Sequence, residues 1–115
     1  MHNKKVGQQG EQRACEYLEN QGYSILYRNF RTPYGEIDII AQTEDILCFV
    51  EVKTRNSAAF GAPRLAVDKR KQQHLIAAAQ VFLQQSQSSY DALRFDVIEC
   101  THQQVNHIRD AFRLQ

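Results

Sequence analysis

Asp38, Glu51 and Lys53 are the residue types, at the spacing, that hold a divalent metal for cutting phosphodiester bonds. Side chains alternate along an extended chain, so Glu51 and Lys53 share a face with Leu47 and Phe49, while Cys48, Val50 and Val52 take the other. On the preceding segment Glu36, Asp38 and Ile40 share a face. A two-residue hairpin loop at Glu44-Asp45 pairs Thr43 with Ile46. Counting back, Ile40 meets Phe49, Asp38 meets Glu51 and Glu36 meets Lys53; an odd-length loop would shift every pair by one residue. Two carboxylates in that relation repel unless something positive lies between them. The flanking Ile37, Ile39, Val50 and Val52 place the hairpin in the interior, which sharpens the penalty. Hard oxygen ligands suit Mg²⁺, with Mn²⁺ as a substitute. The plainer alternative is an ion pair in which Lys53 neutralises Glu51 or Glu36, since Glu-Xaa-Lys alone occurs often by chance. Against it, Glu11 and Asp38 also point to the interior side, and one lysine does not neutralise three carboxylates.

Several elements must position these groups. Gly7–Gln21 reads as a helix stopped by Gly22, with Glu11, Ala14, Cys15 and Leu18 as its inner stripe. Glu11 is thus a carboxylate on an apolar side, which is costly without a partner. Tyr23–Phe30 is a strand, followed by a turn at Thr32–Gly35. The β-rich segments Glu36–Ala41 and Ile46–Thr54 come next. Pro63 opens a helix to about Gln85 that buries Leu75, Ala78, Ala79, Phe82 and Leu83. After a loop at Ser86–Asp91, Leu93–Cys100 and Val105–Phe112 are two further strands. The order α-β-β-β-α-β-β implies a mixed α/β (α+β) domain, a mixed sheet with helices packed on it.

The 115 residues suit one domain, and 43% hydrophobic with 23% charged residues is the composition of a globular protein. No run has the length of a membrane span and the first ten residues carry no signal-peptide core, so a cytoplasmic location and no membrane partner are expected. Cys15, Cys48 and Cys100 are odd in number and set among apolar residues, which predicts buried thiols. His2, His74, His102 and His107 lack ligand spacing and are read as surface residues. Tyr23, Tyr27, Phe30, Phe49 and Phe82 fall in apolar periodic segments and are read as core. Residues 52–74 carry Lys53, Arg55, Arg64, Lys69, Arg70 and Lys71 against Asp68 alone, a local basic surface suited to a polyanion. Lys69-Arg70-Lys71 sits early in the second helix, where the dipole disfavours cations; phosphates nearby would account for that, as would a helix begun at Pro63.

The ordered motifs Gly10-Glu11, Gly22-Tyr23, Arg28-Asn29-Phe30-Arg31, Gly35-Glu36-Ile37-Asp38, Phe49-Val50-Glu51-Val52-Lys53-Thr54-Arg55 and Phe60-Gly61 closely resemble the bacterial YraN-like, endonuclease-related family. The resemblance covers nearly the whole chain. Its core is similar to the PD-(D/E)xK nucleases, especially the archaeal Holliday-junction resolvases, and so implies a restriction-endonuclease-like fold. It further implies that Asp38 and Glu51 bind Mg²⁺ with the main-chain carbonyl of Val52, that Lys53 is catalytic, and that Glu11 helps hold metal or water. Glu36-Ile37-Asp38 departs from the usual Pro-Asp pair, but the aspartate remains.

The expected reaction is in-line attack of water on phosphorus, the cation lowering the pKa of the water and neutralising the phosphate oxygens. Lys53 would orient or deprotonate the water, or stabilise developing charge. Arg55, Lys69, Arg70 and Lys71 would contact nucleic acid, with the Ser57–Gly61 loop bordering it. The resemblance implies DNA, branched or otherwise structured, as substrate and a two-fold homodimer. The rival readings are a nucleic-acid-binding module without turnover and an interaction protein that keeps only the fold.

Overall fold

The computed structural model describes residues 2–55, 67–86 and 89–113, with backbone alone for 2–8. The elements run α1 (His2–Asn20), β1 (Ser24–Thr32), β2 (Gly35–Thr43), β3 (Ile46–Thr54), α2 (Lys69–Gln85), β4 (Ala92–Cys100) and β5 (Val105–Phe112). The five strands form one sheet in chain order. Pairing is antiparallel except between β3 and β4, which α2 joins as a crossover. This is the expected mixed α/β architecture, compatible with a restriction-endonuclease-like core. No helix among the described residues is long and apolar enough to cross a membrane.

The helices cover opposite faces of the sheet. Ala14, Cys15 and Leu18 of α1 pack on Ile39, Ala41, Cys48, Val50, Ile98 and Cys100. Leu75, Ala78, Ala79 and Phe82 of α2 pack on Ile37, Ile40, Leu47, Phe49, Phe95 and Val97. A strand covered on both sides needs apolar residues at successive positions, which is why Leu47–Val50 is continuously buried. Gly22, at φ +94°, ends α1; its N–H bonds the Glu19 carbonyl and that of Tyr23 bonds Leu18, a Schellman stop. The helix begins at His2, upstream of the expected Gly7, because nothing between the two breaks it.

The start of α2 corrects a further expectation. Asp68 is extended (φ −78°, ψ 173°) and its carboxylate accepts the Lys71 N–H, so Asp68 caps a helix that starts at Lys69. An aspartate cap outweighs the Pro63 start, and Pro63 itself lies outside the described residues, as do Arg64 and the Ser57–Gly61 segment. The three thiols are buried and free. His107 is not a surface residue. Its side chain is 2% exposed, with Nε2 at 2.7 Å from Asp96 and Nδ1 at 3.1 Å from the Tyr17 hydroxyl. Arg94 donates two bonds to the same Asp96, and the Asp110 N–H a third, so this buried carboxylate is fully partnered and its pKa is lowered. Tyr27, expected in the core, is 54% exposed although its ring edge meets Phe30 and Phe82.

Gly10 sets the height of α1 above the sheet. A Cβ built there would lie 2.2 Å from Thr54 Oγ1 on β3, and the Gly10 carbonyl accepts the Cys100 thiol. Gly10→Ala is therefore expected to cost about 1–3 kcal/mol through overpacking. In a Thr54→Ala background, where the clashing oxygen is gone, most of that cost should vanish in a double-mutant cycle read by denaturant unfolding. Equal costs in both backgrounds would show that the close approach does not govern the helix.

Candidate metal centre

The predicted hairpin register holds from its turn as far as the site. Thr43 pairs with Ile46, Ile40 with Phe49 and Ile39 with Val50. The ladder then stops. Beyond it β2 stays with β1, through Phe30–Ile37 and Arg31–Glu36, while β3 stays with β4, through Glu51–Val97 and Lys53–Glu99. The two strands fork, and Asp38 stands in the fork. Its Oδ2 accepts the Val52 N–H at 2.8 Å, so a side chain takes a bond that a neighbouring strand would otherwise take.

Strict alternation fails at this point, which corrects the expected face of Asp38. Ile37 and Ile40 both belong to the α2-side core, whereas Ile39 belongs to the α1 side. On β1 the rings of Tyr27 and Phe30 both meet Phe82 of α2, and Asn29 between them has φ +55°. Asparagine tolerates this left-handed conformation better than most residues. Besides the register shift on β1 between Ile25 and Tyr27, a second irregularity, which leaves the register unchanged, lies at Asn29 and Asp38 and turns Asp38 sideways. Asp38 consequently does not share the face of Ile40, and Asp38–Glu51 and Glu36–Lys53 are not ladder pairs.

Four carboxylates gather there. Glu11, Glu36 and Asp38 each offer an oxygen, all within 4.8 Å of one another. Glu51 lies against Asp38 from the α2 side and shares a hydrogen bond with it when protonated. Asp38 is thus common to both groups. Glu36 was expected opposite Lys53; instead Arg31 binds it at 2.9 Å and it joins Glu11. Glu51 is 6% exposed at its side chain and sits between two ammonium groups, Lys53 Nζ at 3.8 Å and Lys71 Nζ at 3.6 Å from Oε2. Its Oε1 is buried with no hydrogen-bond partner among the described residues.

The electrostatics follow from this crowding. Burial and then the neighbouring Asp38 push Glu51 up to about 7, although Lys71 and Lys53 pull the other way. Burial raises Asp38 against the bond from Val52 and the charge of Lys71. Glu11 is raised by burial and by Asp38, while Asn29 and Arg28 favour its charged form. Glu11 and Glu36 are only partly buried.

The predicted nucleic-acid contacts divide. Lys71 enters the carboxylate cluster, a placement legible in the spacing of Asp68, Lys71 and Leu75. Lys69 and Arg70 are exposed in the first turn of α2. Arg55 holds the fully buried Glu99 at 2.8 and 2.7 Å, and lines a cavity of about 510 Å³ with Arg13, Thr54 and His102. Sequence reasoning missed Glu36 as a cluster member, and missed Asn29 and Glu99. The only signal for Asn29 was its residue type.

Glu51 and Asp38 hold protons more tightly in the folded state than in the unfolded chain. Stability is therefore full below the usual value of 4.5 for Glu51 and is lost as pH rises through about 7, by on the order of 3 kcal/mol. In metal-free buffer the melting temperature should fall between about pH 5 and pH 8, and Glu51→Gln should flatten that slope. A melting temperature that rises over this range would refute the account.

Residues 10–100 match the family described as "Uncharacterised protein family UPF0102". The chain is similar to a UPF0102 protein of Alkaliphilus oremlandii, 48% identical over 116 residues, covering 96% of this chain and 99% of that one. It is 44% identical over 119 residues to UPF0102 protein TTE1452 of Caldanaerobacter subterraneus, covering 97% and 98%. A UPF0102 protein of Geobacter metallireducens is 45% identical over 118 residues, covering 99% and 97%. Coverage near the full length of both partners, at this identity, establishes that the chain belongs to the UPF0102 family.

Proposed function

We propose that this protein is a metal-dependent endonuclease that hydrolyses phosphodiester bonds of DNA, branched or otherwise structured, in the cytoplasm. The observation that carries the reading is Asp38 in the strand fork, with Glu51 against it from one side and Glu11 and Glu36 from the other. A purely structural role would favour fewer carboxylates at one point, because like charges at short range destabilise the fold. The donor set fits a hard divalent cation. It is all oxygen, and among the described residues Glu51 Oε1, like Glu99 Oε1, is buried without a hydrogen-bond partner.

In this reading Asp38 and Glu51 hold Mg²⁺ or Mn²⁺, and Glu11 and Glu36 hold the ion or its waters. Val52 contributes its carbonyl. A strand residue directs its N–H and C=O to the same edge, and the Val52 N–H points at Asp38, so its carbonyl faces the fork as well. When bound, the metal supplies Lewis-acid stabilisation of the phosphate and an activated water. Lys53, 39% exposed and anchored beside Glu51, presents an ammonium to the phosphate or to the attacking water. Lys69 and Arg70 bind flanking phosphates, which confers affinity without base readout, while Arg55 is committed to Glu99. Cutting paired strands calls for a two-fold dimer.

The test is cleavage of duplex, single-stranded, flap and four-way DNA, and of matched RNA, with Mg²⁺ or Mn²⁺. Asp38→Ala, Glu51→Ala and Lys53→Ala are each expected to lower kcat about 10²–10⁴-fold without unfolding the protein. Nucleic acid bound but never cut would replace the enzyme with a binding module. Cutting that persists in Asp38→Ala would remove the assignment altogether.

A further inference from the structure

Lys71 stands apart from the other basic residues of α2 because it reaches the carboxylates. Its N–H is fixed by the Asp68 cap at 2.8 Å, and Leu75, one turn later, is buried against the sheet. Its stem therefore runs along the inner side of the helix, and Nζ comes 3.6 Å from Glu51 Oε2, closer than Lys53 at 3.8 Å. Lys71 also precedes Lys53 among the cations acting on Glu51, and it is the leading cation acting on Asp38. A lysine in the first turn opposes the helix dipole. The Asp68 cap offsets the dipole in part, and among the described residues the first turn itself holds no acidic side chain. The acid cluster on the sheet, rather than the helix itself, stabilises the Lys71 charge.

Two further facts bear on what this contact does. The Lys71 side chain is 40% exposed, whereas that of Glu51 is 6% exposed, so one end of the pair is free to swing and the other is not. A divalent ion seated on Glu51 and Asp38 would lie within a few ångströms of the Lys71 ammonium and repel it. Lysine differs from arginine in having a compact charge on a flexible stem, suited to exchanging one anion for another. Lys69 and Arg70 of the same turn are exposed, and a phosphodiester backbone bound to them would come near the Lys71 ammonium.

We infer that Lys71 is an exchange cation: it neutralises Glu51 and Asp38 while no metal is bound, and moves to a phosphate oxygen of the nucleic acid when the metal takes its place. Metal and substrate then bind cooperatively, since each releases the group that the other displaces or recruits. This rests on the metal-site reading above; Lys53 is equally exposed, and what sets Lys71 apart is its place on α2 beside the exposed Lys69 and Arg70.

The experiment is calorimetric titration of Mn²⁺ into the full chain, alone and with a phosphorothioate DNA duplex that resists cleavage, for the unaltered protein, Lys71→Met and Lys71→Gln. Without DNA, both variants are expected to bind Mn²⁺ about 3–10-fold more tightly, because a competing charge is gone. In the unaltered protein the duplex should tighten Mn²⁺ binding by roughly 5–20-fold, and by reciprocity Mn²⁺ should tighten duplex binding equally. In the variants this mutual gain should drop below about twofold. Lys71→Arg keeps the charge without the compact head, and so should keep more of the gain than either neutral variant but less than the unaltered protein. Variants that melt like the unaltered protein, yet bind Mn²⁺ equally or more weakly, overturn the exchange. A mutual gain that survives Lys71→Met does the same. An unaltered protein that binds no Mn²⁺ fails earlier, at the metal site itself, and so identifies which of the two readings is wrong.

Discussion

The bond from the Val52 amide to the Asp38 carboxylate is the constraint on which the rest of the site depends. An antiparallel pair satisfies its backbone groups by continuing, and ending one in the interior leaves polar groups in search of partners. Here one side chain meets that need at the point of divergence. The fork can then open between β2 and β3 while each strand stays paired on its outer side, β2 with β1 and β3 with β4. Turning Asp38 sideways requires the strand to lose its period of two, and Asn29 in the left-handed region makes the matching adjustment next door. Gly10 then lets α1 come down onto Thr54, which brings Glu11 to the same point from above.

The same sheet holds two kinds of buried carboxylate, and the contrast separates scaffold from site. Asp96 receives Arg94, His107 and the Asp110 amide and is stabilised as an anion despite its burial. It closes β5 onto β4 and gives the hidden side chain of His107 a partner, a finished network with no capacity for another ligand. Glu51, by contrast, has a neighbour of its own sign, and its Oε1 has no hydrogen-bond partner among the described residues. Both are buried acids on a central strand. What differs is the company each keeps: Glu99 on β4 also has a bare Oε1 with Arg55 on its other oxygen, so the mark of the site is the second carboxylate set against Glu51 and not an unpartnered oxygen alone.

The architecture was legible in the sequence because its signals are periodic. Ala14, Cys15 and Leu18 marked one helix and Leu75, Ala78, Ala79 and Phe82 another, while the unbroken apolar run in β3 marked a strand covered on both faces. The hairpin register also came correctly from the Glu44-Asp45 loop, where Glu44 adopts the positive φ that a tight turn needs. What periodicity could not supply was its own interruption. Counting by twos carried Asp38 past the fork onto the wrong face and set Glu36 opposite Lys53. A two-strand irregularity leaves no trace in hydrophobic pattern. The beginning of α2 is set by the Asp68 cap, five residues beyond the Pro63 cue that the sequence reading relies on. His107 was misjudged because its partners, Asp96 and Tyr17, lie far from it in sequence.

Asp38 receives its neighbours from both sides of the sheet, Glu11 from the layer of α1 and Lys71 from that of α2. More than half of the chain lies between those two residues. No local segment holds the assembled cluster, and bringing such distant residues together incurs a loop-closure cost that only native packing offsets. The cluster is therefore an index of completed folding. A half-folded chain has an acidic helix residue, a hairpin and a basic helix, but no place where they meet, so the cluster stays unassembled until both layers have docked.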